Sequence, residues 1–269
     1  MKVLILLPKC DYDPTETAVP WIEMVKAGHD LYFATPEGEP AYADPRLVDG
    51  GFSLLSPIFM TRKIDIKKYQ TMVANEQFLH PLSYADVLAA AYDALFIPGG
   101  HAPGMKTMID SVTAQSICRH FFQNDKPVAA VCHGVLLLAR SKNRTGLSVL
   151  DGRLSTALPA SVELSAWAAT ALWLGRYYRT YPITVEREVS EALGQEGRFY
   201  KGPLLPIRDK EESLRFGFTV RDDNYLSARW PGDCNKFSKD WIKLLAEYTQ
   251  RKQDGRGMAK SLQKIGWVY

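Results

Sequence analysis

Cysteine is scarce in this chain. Cys10, Cys118, Cys132 and Cys234 are spread over 269 residues without a CxxC pair, which excludes a disulfide framework and a zinc-finger spacing. No apolar run approaches the ~18 residues a membrane span needs. The opening MKVLILLPKCDYD has too short an apolar part, with acids too close behind it, for a signal peptide. A cytoplasmic chain with no membrane partner is therefore expected, and the NRT sequon at Asn143 is read as a chance match. Charge of either sign is not in excess. With 33 basic and 30 acidic residues the net charge is +3, too even for the clustered basic face of a nucleic-acid binder. Histidine is sparse as well: five residues, none beyond His133. Internal repeats and low-complexity blocks are absent.

What is present is an ordinary globular composition, 46% hydrophobic and 23% charged, able to fill a sizeable core. KVLILL is a continuous apolar run ending at Pro8, as a strand buried on both faces requires. TAVPWIEMVKAGHD follows with helical spacing and Gly28 as its stop. DLYFATP, YDALFIPGG and KPVAAVC read as further strands, and VLLLARSK as a helix. Strands taking turns with helices imply βαβ units and an α/β fold around a mainly parallel sheet. Residues 37–92 exceed a simple crossover and are read as a cap insertion. VELSAWAATALWLG is a second insertion-like helix. FTVRDDNYLSAR reads as a strand pair, and NKFSKDWIKLLAEYTQ as a last helix with Asn235 as N-cap. Residues 251–269 form a basic extension with an apolar end.

In an open parallel sheet the ligand lies beyond the carboxyl ends of the strands. Three such places carry chemistry here: Glu16 in the loop after the first strand, Gly99-Gly100-His101 after the third, and Cys132-His133 after the fourth. In AVCHG, small Ala130 and Gly134 flank the cysteine, the counterpart of a serine nucleophile elbow. A thiol raised there at a helix N-terminus has its pKa lowered by the helix dipole and free N–H groups. The plainer reading makes Cys132 a small buried apolar residue. IPGG adds two glycines whose amides can approach a ligand closely, the material of an oxyanion hole. His80, in FLHPLS, could reach over the site, whereas His29 and His120 read as surface or packing residues.

Together ETAVPW from Glu16, YDALFIPGGHAPG from Tyr92, KPVAAVCHG from Lys126 and LSARWPGD from Leu226 resemble the ThiJ/PfpI superfamily, in that family's order and through most of residues 1–250. The resemblance implies a class I glutamine-amidotransferase-like, flavodoxin-like three-layer sandwich in which Cys132 is the nucleophile and Glu16 the acid hydrogen-bonded to its sulfur. The Gly100 and His133 amides would be oxyanion donors, with Gly99 and His101 beside the substrate. GGHAPG and the long insertion look most like the capped branch of glutathione-independent glyoxalases and stress chaperones. In that branch an acid orients the histidine. Counting from Gly152 places Glu163 there, giving Cys132-His133-Glu163, with Glu186 and Glu188 in reserve. A glutaminase is disfavoured because its catalytic histidine lies far downstream of the cysteine. The implied activity is conversion of methylglyoxal-type 2-oxoaldehydes to 2-hydroxy acids, with no metal, glutathione or other cofactor. Alternatives are a hydrolase or deglycase working through an acyl-thioenzyme, or a redox-sensing stress chaperone. The expected partners are a small carbonyl substrate and a second copy in a homodimer. A disulfide joining Cys132 to Cys10, and a site role for Cys234, are further possibilities raised by their positions.

Overall fold

The computed structural model describes residues 1–52, 60–203 and 205–255. Seven strands build the central sheet: β1 (Lys2–Leu6), β2 (Asp30–Thr35), β3 (Leu82–Ser83), β4 (Ala94–Ile97), β5 (Val128–Val131), β6 (Thr219–Asp222) and β7 (Tyr225–Ala228). Their order across the sheet is β6-β7-β5-β4-β1-β2-β3. All neighbours pair in parallel except the β6–β7 hairpin, which turns at Asp223 with φ 53°. Burial on both faces accounts for the unbroken apolar runs: Val3, Leu4, Ile5 and Leu6 have no exposed surface, nor do Ala94 to Ile97.

Two groups of helices supply that cover. α1 (Pro14–Lys26) packs against α2 (Lys63–Val73) and α7 (Cys234–Gln253). α4 (Gly134–Arg140) packs against α3 (Val112–Gln123) and α6 (Val185–Ala192). Phe96 of β4 meets Phe237 of α7 with ring centroids 5.7 Å apart, and Trp241 donates to Met24 Sδ at 3.2 Å, joining α7 to α1. The result is the expected α/β three-layer sandwich. α1 starts where Asp13 accepts the N–H groups of Thr15 and Glu16 at 2.7 and 3.0 Å. It stops at Gly28, whose φ of 77° lies in the left-handed region.

Residues 37–92, read from the sequence as a cap, divide between two places. Tyr42–Ala43 pairs with Cys10–Tyr12, and Leu47 and Phe52 reach the site cavity. α2 instead lies in the helix layer against α1, and β3 extends the sheet beside β2. His80 is 79% exposed in its side chain and 3.5 Å from Glu76, so it does not reach over the site. Asn235 is not the N-cap of the last helix. Asp233 holds that position, while Asn235 lies inside the helix and donates to Asp209 at 2.8 Å. Ser53–Phe59 of FSLLSPIF and the apolar tail lie outside the described residues.

The strand order places β1 between β2 and β4, so the chain turns to one side after β1 and to the other after β3. That reversal opens a crevice beyond the carboxyl ends of β1, β4 and β5.

Candidate active site

Three chain segments converge in this crevice. β5 ends at Val131, and Cys132 turns the chain into α4 with φ 55°, a left-handed conformation that costs a non-glycine residue about 1–2 kcal/mol. The Cys132 N–H is tied to the Ala228 carbonyl of β7 at 3.0 Å. Gly134 admits the turn because a Cβ there would lie 2.6 and 2.7 Å from the Ile97 and Pro98 carbonyl oxygens. The elbow is thus held by neighbours on both sides of β5.

Glu16 does not sit in a loop, as the sequence suggested, but in the first turn of α1 with no exposed surface. Its Oε2 accepts the Gly99 N–H at 2.9 Å, and the Gly99 carbonyl accepts the Asp13 N–H at 2.8 Å. Gly99 therefore clamps the helix start to the end of β4. The carboxyl lies close enough to the Cys132 thiol for each group to shift the other's titration. Its other oxygen, Oε1, is buried and has no hydrogen-bond partner among the described residues. Burial, reinforced by the nearby Asp13 charge, pushes the Glu16 carboxyl well above the ordinary carboxylate range and so favours its neutral, proton-donating form.

Burial also sets the state of the sulfur. Cys132 is 4% exposed, and loss of hydration pushes its thiol well above the ordinary value. This differs from the lowered pKa read from the helix N-terminus. The His133 amide hydrogen-bonds to the sulfur and favours the thiolate, but desolvation is the larger effect. The resting group is a thiol, and ionising it calls for a base. His133 Nδ1 lies 3.5 Å from Sγ. Burial, the neighbouring His101 and the cations Arg140 and Arg179 hold His133 well below the usual imidazole value, so the ring is neutral and can accept a proton. The His101 ring is 4.9 Å from it, and burial followed by the Arg179 charge brings His101 down to about 4. Thr180 anchors the His101 carbonyl at 2.8 Å.

Glu163 arrives in the same cluster from the first turn of α5 (Ala160–Leu174). Donor atoms of His101, His133 and Glu163 lie within 4.8 Å of one another, and among the described residues this group could hold a metal ion. The Glu163 oxygens are committed elsewhere: Arg179 donates to one at 2.6 Å and the Val185 N–H to the other at 2.8 Å. Glu163 thus faces the histidines without a direct bond to His133. The reserve acids have other work. Glu186 accepts the Ala160 N–H at 2.9 Å, and Glu188 pairs with Arg140. Gly100 lines the cavity, and its N–H has no acceptor among the described residues, as an oxyanion donor needs. A Cβ on Gly100 would come within 2.5 Å of the Asp11 carbonyl oxygen.

Over these groups lies a cavity of about 550 Å³ whose floor includes Asp13, Glu16, Gly100, His101 and Cys132. Cys10 is half-buried beside Gly104 and is not among the cavity residues. Cys234 is buried near Glu16, and burial, followed by the acidic groups around it, pushes its thiol well above the ordinary value.

A family model described as ThiJ/PfpI family-like matches residues 7–203. The chain belongs to the ThiJ/PfpI family. Among similar proteins, an uncharacterized protein of Schizosaccharomyces pombe is 30% identical over 91% of this ThiJ/PfpI chain and 84% of its own length. Deglycase PfpI of Pyrococcus furiosus is 24% identical over 91% of the chain and 99% of its own. In fold, the crystal structure of glyoxalase III from Candida albicans superposes with a TM-score of 0.65 at 20% identity, covering 91% of this chain and 97% of that one. No helix among the described residues is long and apolar enough to cross a membrane.

Several site residues of this ThiJ/PfpI chain escaped the sequence reading. Asp13 had a local signal, since Asp13-Pro14-Thr15-Glu16 has capping-box spacing. Arg179 and Arg208 had none, because each comes from a separate irregular segment that only folding brings to the crevice, whereas Trp230 lay in LSARWPGD but was given no role there.

Proposed function

We propose that the protein is a cysteine-dependent glyoxalase that converts 2-oxoaldehydes to 2-hydroxy acids. The observation carrying this reading is that the Cys132 thiol sits between a neutral carboxylic acid, Glu16, and a neutral imidazole, His133, beneath an open cavity. The names of relatives, glyoxalase III and deglycase PfpI, favour the same carbonyl chemistry.

In the first step His133 takes the thiol proton while Sγ adds to the aldehyde carbon. The carbonyl π electrons move to oxygen, where the Gly100 N–H and the Glu16 acid stabilise the charge until it is protonated as a hemithioacetal. His133, again neutral, removes the proton from the former aldehyde carbon. The electron pair forms an enediolate; as that proton returns to the adjacent carbon, the hydroxyl proton passes to the neighbouring oxygen, leaving a thioester of the 2-hydroxy acid. Water hydrolyses the thioester, the acid leaves, and the thiol is restored. Atoms and electrons balance without an external oxidant or a cofactor. Glu163, held by Arg179, keeps negative charge near the imidazolium formed during each transfer.

Loss of methylglyoxal and appearance of lactate test the reading directly. Cys132→Ala should abolish turnover, and Glu16→Ala should lower it by about 10²-fold or more, the size expected for losing one preorganised donor. Full activity in Cys132→Ala would refute the mechanism. Release of an intact hydroxyacyl group from a glycated thiol, with free methylglyoxal untouched, would point instead to a deglycase using the same residues.

A further inference from the structure

We infer that the preferred substrate of this site carries a bulky apolar substituent, an aromatic 2-oxoaldehyde rather than methylglyoxal. The inference rests on the glyoxalase reading and goes past it to what the cavity selects.

A cavity of about 550 Å³ falls in the ~300–1,000 Å³ range that encloses drug-sized ligands. A three-carbon aldehyde bound at Cys132 would leave most of that space to water. The walls are apolar: Leu47, Phe52, Leu158, Val162, Tyr178 and Trp230 line it, together with the small side chains of α5 at Ala166 and Ala169. Phe52 and Tyr178 stack with centroids 5.8 Å apart and planes 20° from parallel, and Tyr178 in turn meets His101 at 5.4 Å. A run of rings therefore leads from the outer wall to the polar floor, where the reacting carbonyl must sit, with Phe52 and Tyr178 near parallel and His101 tilted 43° to Tyr178. Rings meeting such a wall gain from offset stacking as well as from leaving water.

Charge argues against an anionic tail. Among the described residues, the ionisable side chains lining the cavity besides the Glu16 carboxyl and His101 are Cys132, Tyr178, Asp13 and Arg208, and of these Asp13 and Arg208 are of opposite sign and attract each other. Arg208 also lies over the Trp230 ring at 5.6 Å. A carboxylate or phosphate substituent would meet Asp13 as well as Arg208, whereas a phenyl group meets the apolar walls.

The test compares kcat/KM for phenylglyoxal and methylglyoxal in the wild type and in Ala166→Trp, whose indole would occupy the space beside α5. Phenylglyoxal should be favoured by about 10- to 100-fold, mainly through KM, as burial of an apolar group in a fitted pocket gives. In Ala166→Trp, with its unfolding midpoint checked, the preference should collapse toward unity. Methylglyoxal turned over as well as or better than phenylglyoxal would overturn this inference and leave the glyoxalase reading standing. A preference that survives in a folded Ala166→Trp would overturn the assignment to this cavity. Failure of the folded wild type to consume either aldehyde would overturn both.

Discussion

Gly99→Ala places one methyl group where the whole site is joined. Gly99 does not have a left-handed φ, so alanine fits its backbone and the cost is contact alone. The new Cβ would lie 2.6 Å from the Val131 carbonyl oxygen, 2.7 Å from Glu16 Oε2 and 2.8 Å from Cys132 Cβ. Those atoms belong to a strand end, a buried acid and the strained elbow, none of which is the loose end of a flexible chain. Relief requires a shift of several tenths of an ångström, and overpacking of this kind costs about 1–3 kcal/mol. The shift also pulls the Gly99 N–H from Glu16 and moves sulfur relative to the Gly100 amide. A displacement near 1 Å at a reacting centre lowers rate by about 10²-fold, so this smaller shift should lower it by about 10-fold. Gly28→Ala provides the comparison. Its φ of 77° with nothing within 4 Å of an added Cβ predicts about 1–2 kcal/mol of strain and near-normal turnover. Denaturant melts and methylglyoxal consumption read the two effects separately. Wild-type stability and rate in Gly99→Ala would refute the clamp.

Removing the Arg179 charge while keeping a donor, in Arg179→Gln, should raise the His133 pKa, since that cation is one of the influences holding it down. Because the mechanism needs neutral His133, the acid limb of kcat/KM against pH should move to higher pH, and an unmoved limb would contradict the assigned base. Asp13 is held at about 6 by burial against 3.8 for the free side chain. The folded state therefore binds this proton more tightly than the unfolded one. The resulting stability is present below about pH 4 and lost as pH rises through about 6, a change of about 3 kcal/mol. Asp13→Asn keeps an oxygen to cap α1 and removes the charge, so its unfolding midpoint should vary less between pH 4 and 7. Curves of the same shape for variant and wild type would contradict the cost assigned to the Asp13 charge.

Much of the architecture was legible because it is encoded in short local patterns. The apolar runs of β1, β4 and β5, each closed by Pro, Gly or the cysteine, announce a covered parallel sheet, and AVCHG announces its elbow. Glu16, Gly100, Cys132 and His133 could be named for the same reason. Residues 37–92 were harder. β3 is two residues long, and α2 has a polar sequence with only Asp65 and Met72 fully buried, so neither gave a periodic signal of its place in the sandwich. The state of the thiol was misjudged because a helix N-terminus can be read from sequence, whereas the desolvation that outweighs it arises from the packed crevice. Glu163 was placed beside the histidines, yet its tie to Arg179 depends on a contact between α5 and the segment after it that no spacing rule foretells.

The central claim is that the sulfur of Cys132 forms the bond to the substrate carbonyl. Carbon NMR of the protein mixed with methylglyoxal labelled at the aldehyde carbon observes that bond directly. The mechanism predicts a hemithioacetal or thioester carbon signal in the wild type that is missing in Cys132→Ala. A signal of the same intensity in both proteins, or lactate formed at the wild-type rate without Cys132, would contradict it.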